Sequence, residues 1–143
     1  MRNNFKKQIF TGWPAGGGII TVLFVFFLLS GCEKDDLVAI RSIDTIEPVI
    51  TGTTVVTGGI MTANKEIELV EYGIAYNTAA NPVTEDNISP GTDLSVFEDP
   101  SRYTVEFKSQ ITLLSPGTKY YIRAFVTTRT GTAYGNQISF TIN

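Results

Sequence analysis

The sequence predicts an all-β protein, an antiparallel β-sandwich of about seven strands behind an N-terminal targeting segment. Three observations predict it. From about Val38 onward, short alternating segments are separated by Gly, Pro, Asn and Asp, the punctuation of strands and turns. No stretch repeats apolar residues at helical spacing. Around residues 102–111 the alternation is clean: Tyr103, Val105, Phe107 and Ile111 share one face, and Thr104, Glu106, Lys108 and Gln110 the other. One face is therefore wet and one buried, as in an antiparallel sandwich.

Residues 1–31 have the three parts of a secretory signal. Arg2, Lys6 and Lys7 form a basic start, an apolar stretch runs over 19–29, and Ser30 and Gly31 are small residues at the cut. Leu29-Ser30-Gly31-Cys32 resembles the lipobox of bacterial lipoproteins, which implies cleavage between Gly31 and Cys32 and transfer of diacylglycerol to the thiolate of Cys32. Cys32 is the single cysteine of the chain. A lone cysteine is more often a small buried hydrophobe, yet Cys32 stands between an apolar run and the charged stretch Glu33-Lys34-Asp35-Asp36. The competing assignment is an uncleaved membrane helix. Residues 19–30 would rise only about 18 Å, short of the roughly 30 Å hydrocarbon core. Extending the helix back to Trp13 takes in Pro14 and three glycines, Gly16 to Gly18, which are poor helix formers. With two or three acyl chains, attachment is expected to be stable, and the protein anchored rather than spanning.

Residues 32–38 read as the lipidated cysteine and a solvated tether. Charged residues here are commonly nothing more than that. The acidic cluster Glu33, Lys34, Asp35 and Asp36 also resembles the surface-export signal of Bacteroidetes lipoproteins, which implies an outer-membrane protein displayed on the cell surface.

Removal of residues 1–31 takes three of the 11 Lys+Arg and none of the 14 Asp+Glu, leaving 8 against 14, a net charge of −6. An acidic chain of this kind argues against nucleic acid as a partner. Histidine is absent, and a lipidated cysteine is no longer a nucleophile, so histidine general acid–base chemistry, cysteine–histidine and serine–histidine–aspartate arrangements and zinc sites are excluded. No cofactor and no metal are expected.

The remaining 39–143 form one domain by length. Residues 40–45 predict an edge strand that stops near Glu47-Pro48, because proline lacks the N–H a ladder needs. In residues 53–61, Thr54, Val56, Gly58 and Ile60 share a face. A turn at Asn64-Lys65 precedes a strand over 67–77, where Tyr72, Ile74 and Tyr76 lie opposite Gly73 and Ala75. Either face could be the buried one. Residues 77–100 are irregular, and a structureless loop of that length is unusual, so a short edge strand over 94–97 is expected.

Leu114-Ser115-Pro116-Gly117-Thr118-Lys119-Tyr120 resembles the corner between the fifth and sixth strands of fibronectin type III domains. The resemblance extends over Tyr120-Tyr121-Ile122-Arg123-Ala124-Phe125 and Gly131-Thr132-Ala133-Tyr134-Gly135-Asn136-Gln137-Ile138-Ser139-Phe140, which look like the last hairpin of the fibronectin type III-like repeats of Bacteroidetes surface lipoproteins. It implies an immunoglobulin-like sandwich with a tyrosine corner, in which Leu114 packs beneath, Pro116 and Gly117 turn the chain, and the Tyr120 hydroxyl bonds upstream backbone. The plainer alternative is an ordinary Pro-Gly turn. The second-strand tryptophan frequent in such domains is missing here, and no Arg-Gly-Asp motif is present.

If Tyr120, Ile122, Ala124 and Val126 point inward, Tyr121, Arg123 and Phe125 point outward, and Tyr134 can join them. Such a strip is suited to a sugar ring or a protein contact; the plainer alternative is cross-strand pairing of aromatics, worth about 0.2–1 kcal/mol per pair. Glu85, Asp86, Asp93, Glu98 and Asp99 have the oxygen chemistry calcium takes but not the spacing of a calcium loop, and read as solvated charge. The expected function is a lipid-anchored, monomeric, non-catalytic surface module binding a glycan or protein. The alternative is a structural spacer or subunit of an outer-membrane glycan-uptake assembly.

Overall fold

The computed structural model describes residues 39–143. The signal segment, Cys32 and the tether residues Glu33, Lys34, Asp35 and Asp36 lie outside the described residues. Eight strands follow in order: β1 (Ile40–Thr51), β2 (Thr54–Ala63), β3 (Glu71–Asn77), β4 (Asn87–Pro90), β5 (Thr92–Asp99), β6 (Arg102–Ile111), β7 (Lys119–Thr128) and β8 (Gly131–Thr141). They make two four-stranded sheets, β1-β2-β6-β5 and β4-β3-β7-β8. All pairings are antiparallel.

The period of two sorts the side chains. Val55, Met61 and Ala63 of β2 and Val105, Phe107 and Ile111 of β6 join Ile74 of β3 and Ile122, Ala124 and Val126 of β7 in one buried cluster. On β3 the inward face is therefore the Tyr72, Ile74, Tyr76 face. The sheets meet closely at Gly59. A Cβ there would lie 2.6 Å from the Phe107 ring and 2.8 Å from Cβ of Ala124 on the opposite sheet, so only glycine lets the ring fill this space. Phe107 also meets Tyr72, with ring centroids 5.3 Å apart.

Both open edges of the sandwich are fastened by hydroxyls. At one, the register of β7 against β8 shifts between Arg123 and Phe125, and the Ala124 N–H donates to the hydroxyl of Thr45 on β1 at 2.9 Å. That hydroxyl in turn donates to the Asn136 carbonyl at 2.6 Å, and the Thr45 N–H donates to Asn136 Oδ1 at 2.8 Å. At the other edge, buried Ser109 of β6 lies 2.8 Å from the hydroxyl of Ser89 on β4, which donates to the Gln110 carbonyl at 2.8 Å. Among the described residues no buried side-chain polar atom lacks a partner.

Two expectations are corrected. β1 does not stop at Pro48 but runs on to Thr51, because its register against β2 shifts between Ile46 and Val49 and a bulge in an edge strand has no use for the missing N–H. The segment expected as one short edge strand over 94–97 is longer and has a companion: β4 and β5 lie in different sheets, joined through Gly91.

Candidate functional site

Three surfaces are candidates for recognition: the outer side of β7 and β8, the pole of the sandwich near residue 113, and the free edge of β5. On the first, Lys119 Nζ sits 5.0 Å from the centre of the Tyr121 ring, and the Arg123 guanidinium 4.8 Å from that of Tyr134. Arg123 Nε also donates to the Gly135 carbonyl at 3.1 Å. Both cations are held over aromatic faces.

The loop between β3 and β4 crosses this side. The Thr84 N–H donates to the Tyr134 hydroxyl at 3.0 Å, the Asn81 N–H donates to Gln137 Oε1, and Pro82 between them is fully buried. Asp86 braces the loop, accepting from Asn77 Nδ2 at 2.7 Å and from the Val83 N–H at 2.9 Å.

Phe125 is a correction. It alternates with Ala124 and Val126, so it does lie on the outer side, yet it is fully buried. Its register neighbour on β3 is Gly73, which leaves room beside it. Ala75, on the same side of β3, is fully buried too. A second buried layer thus lies outside the central cluster. Tyr121, Arg123 and Tyr134 are half-buried, and with Phe125 covered the four do not form a continuous aromatic platform.

The corner residues hold one another. Leu114 is buried, 5% exposed; Gly117 takes φ +72°, where a side chain is strained; its N–H donates to the Ile142 carbonyl at 2.7 Å. The Tyr120 hydroxyl accepts the Ser115 N–H at 3.1 Å, and its ring stacks on Phe140 with centroids 6.1 Å apart.

The pole beside this corner was not legible beforehand. Leu113 adopts φ +60° and is 90% exposed, a conformation that costs a bulky residue about 1–2 kcal/mol. Val49 and Val56, register partners across β1 and β2, are exposed near it, as is Ile50. No periodicity signals an apolar residue that faces water, so sequence reasoning had no purchase on Leu113.

At the opposite pole, Glu66, Glu98, Asp99, Arg102 and Tyr103 line part of a cavity of about 160 Å³. Burial, and then the charges of Glu66 and Glu98, push the Tyr103 hydroxyl above its ordinary value. The Ser101 N–H donates to Asp99 at 2.8 Å and, with the Ser101 hydroxyl, holds the Asp99 carboxyl below the usual range. Among the described residues no three His, Cys, Asp or Glu side chains come together to hold a metal ion, and no helix is long and apolar enough to cross a membrane.

No family model matches the chain, and no curated protein matches it. Among solved structures, a purple acid phosphatase from yellow lupin seeds is similar at 14% identity over 73% of this chain and 19% of that one, with a TM-score of 0.46.

Proposed function

We propose that this chain is a lipid-anchored outer-membrane protein displayed on the cell surface, a lipoprotein of the Bacteroidetes type whose single fibronectin type III-like domain serves as a non-catalytic binding module. Cys32 carries the lipid, and residues 33–36 carry the export signal. Several features support the fold: β1-β2-β6-β5 follows the A-B-E-D order of one immunoglobulin-type sheet, and β3-β7-β8 follows C-F-G, with β4 added at the edge. Tyr120 stands at the start of the sixth of those seven strands and bonds back to Ser115.

The observation that carries the functional reading is the division of the sandwich along β1. This strand starts at Ile40, immediately after the tether, and ends at Thr51, in the pole where Leu113, Val49 and Val56 face solvent. This supports a domain attached at the start of β1 and open to partners elsewhere on its surface. The burial of Phe125 favours a protein partner over a glycan, since sugar stacking needs an open ring face.

The test is made on cells expressing the full chain. Cys32→Ala is expected to abolish fatty-acid labelling and to leave the precursor uncut, and Asp35→Ala with Asp36→Ala to keep the lipid but shield the domain from protease added to whole cells. Undiminished fatty-acid labelling of Cys32→Ala would remove the anchor, and continued digestion of the double variant the export signal.

A further inference from the structure

Among the described residues β5 forms one edge of its sheet and pairs with β6 alone. Every one of its eight residues is exposed. Folded proteins usually guard such an edge with bulges, prolines or charges. The first half of β5 is guarded in this way: the register shifts between Thr92 and Ser95, and Asp93 adopts φ +51°. The second half has neither bulge nor proline, and its charges, Glu98 and Asp99, stand together at its end. From Ser95 to Asp99 the register against Glu106 to Arg102 is regular, and Val96 and Phe97 are 45% and 59% exposed. Val96 lies on the core-facing side beside Val105, and Phe97 on the outer side beside Thr104. A strand laid along this edge would gain main-chain bonds and an apolar neighbour on each face.

Charge selects the occupant. β5 holds three carboxylates, Asp93, Glu98 and Asp99, and no cation. Antiparallel pairing of two β5 strands around their midpoint would set Asp93 of one copy near Glu98 of the other, and like charges opposite one another are destabilising. A second copy is thereby disfavoured. We propose that the Ser95-to-Asp99 edge of β5 accepts an extended peptide segment of a partner protein as a fifth strand, a segment with alternating apolar residues and Lys or Arg at its ends. It rests on the reading of this domain as a binding module and not on the lipid anchor. Glu98 and Asp99 lie at one end of the edge and, with Glu66, outnumber Lys65 and Arg102 around the cavity that also holds Tyr103, which is where the long side chain of a terminal cation would lie.

The experiment uses the full chain in detergent micelles and two labelled peptides of alternating valine and threonine, one ended by lysines and the other by glutamates. The lysine-ended peptide is expected to bind and the glutamate-ended one not to, with amide shifts confined to residues 95–99 and their β6 partners. Glu98→Lys with Asp99→Lys is expected to weaken the first by about tenfold or more and to make the second bind. Because Asp99 also caps Ser101, Glu98→Lys alone is measured in parallel, with a smaller shift in the same direction. Equal binding of both peptides, shifts centred on Leu113 or Tyr121, or concentration-dependent dimerisation through β5 would overturn the proposal. Capture of a partner at the Leu113 pole would overturn it too, while leaving the domain a binding module.

Discussion

The hydroxyl of Thr45 takes the place of a ladder partner for Ala124, accepting its N–H at 2.9 Å from a strand of the opposite sheet. The bulge in β7 and β8 frees the Ala124 N–H, and Asn136 offers its carbonyl to the same hydroxyl at 2.6 Å. One buried side chain thus satisfies a donor and an acceptor and ties the two sheets together.

Thr45→Val keeps the shape and removes both bonds. An unsatisfied buried group costs about 1–3 kcal/mol, so a loss of roughly 2–4 kcal/mol is expected in the urea unfolding midpoint, with Thr45→Ser recovering most of it. A loss below half a kilocalorie (~0.5 kcal/mol) would show that water replaces the hydroxyl.

Gly59→Ala drives a methyl into Phe107 and Ala124, at 2.6 and 2.8 Å. Overpacking of this kind costs about 1–3 kcal/mol. Phe107→Leu in the same chain is expected to recover part of that loss, so that the double variant is more stable than the two single losses predict by addition. Strict additivity in the double-mutant cycle would mean the clash is relieved elsewhere.

Leu113→Asn is expected to stabilise. Asparagine tolerates φ near +60°, and a side chain 90% exposed has little packing to lose. A gain of about 0.5–1 kcal/mol should raise the thermal midpoint. A fall in the midpoint would show that Leu113 packs against the domain in solution.

Two groups tie stability to pH through shifted titration. The Tyr103 hydroxyl is raised above its ordinary value of 10.0, so its contribution is intact below pH 10.0 and is lost as pH climbs through the folded value. Tyr103→Phe should flatten this alkaline loss. Asp99 is lowered from 3.8; its contribution is present above that pH and fades as pH falls through the folded value. Asp99→Asn should lose stability at pH 7 and change less on acidification than the parent. Urea midpoints across pH 2 to 11 check both, and parallel curves for parent and variants would contradict the assignment.

How much was legible follows from where periodicity has meaning. On β6 the wet and buried faces were read correctly because one face meets solvent and the other the core, with Val105, Phe107 and Ile111 buried as expected. On β3 alternation separated the Tyr72 face from the Gly73 face but could not choose, since Tyr is amphipathic and the opposite face is covered as well. Phe125 was misread as exposed because alternation assigns a side of the sheet and not its exposure, and Ala75 on the same side is fully buried too. Pro48 misled because a ladder rule was applied where a bulge suspends it. Thr45 was invisible, for its partners Ala124 and Asn136 stand 79 and 91 residues away.

The sheet order β1-β2-β6-β5 also has a mechanical meaning. The strand that would follow the proposed tether and the strand proposed to take a partner are the two opposite edges of one sheet, so tension between a membrane anchor and that partner would cross three successive antiparallel ladders. Ile40 pairs with Ala63, Ala63 with Tyr103 and Tyr103 with Glu98, so both points of load lie at one end of the sheet and the ladders would open from that end. Thr45 adds a cross-stitch from the pulled strand into the second sheet. A domain strung in this way would yield ladder by ladder from that end, with the Leu113 pole left unloaded.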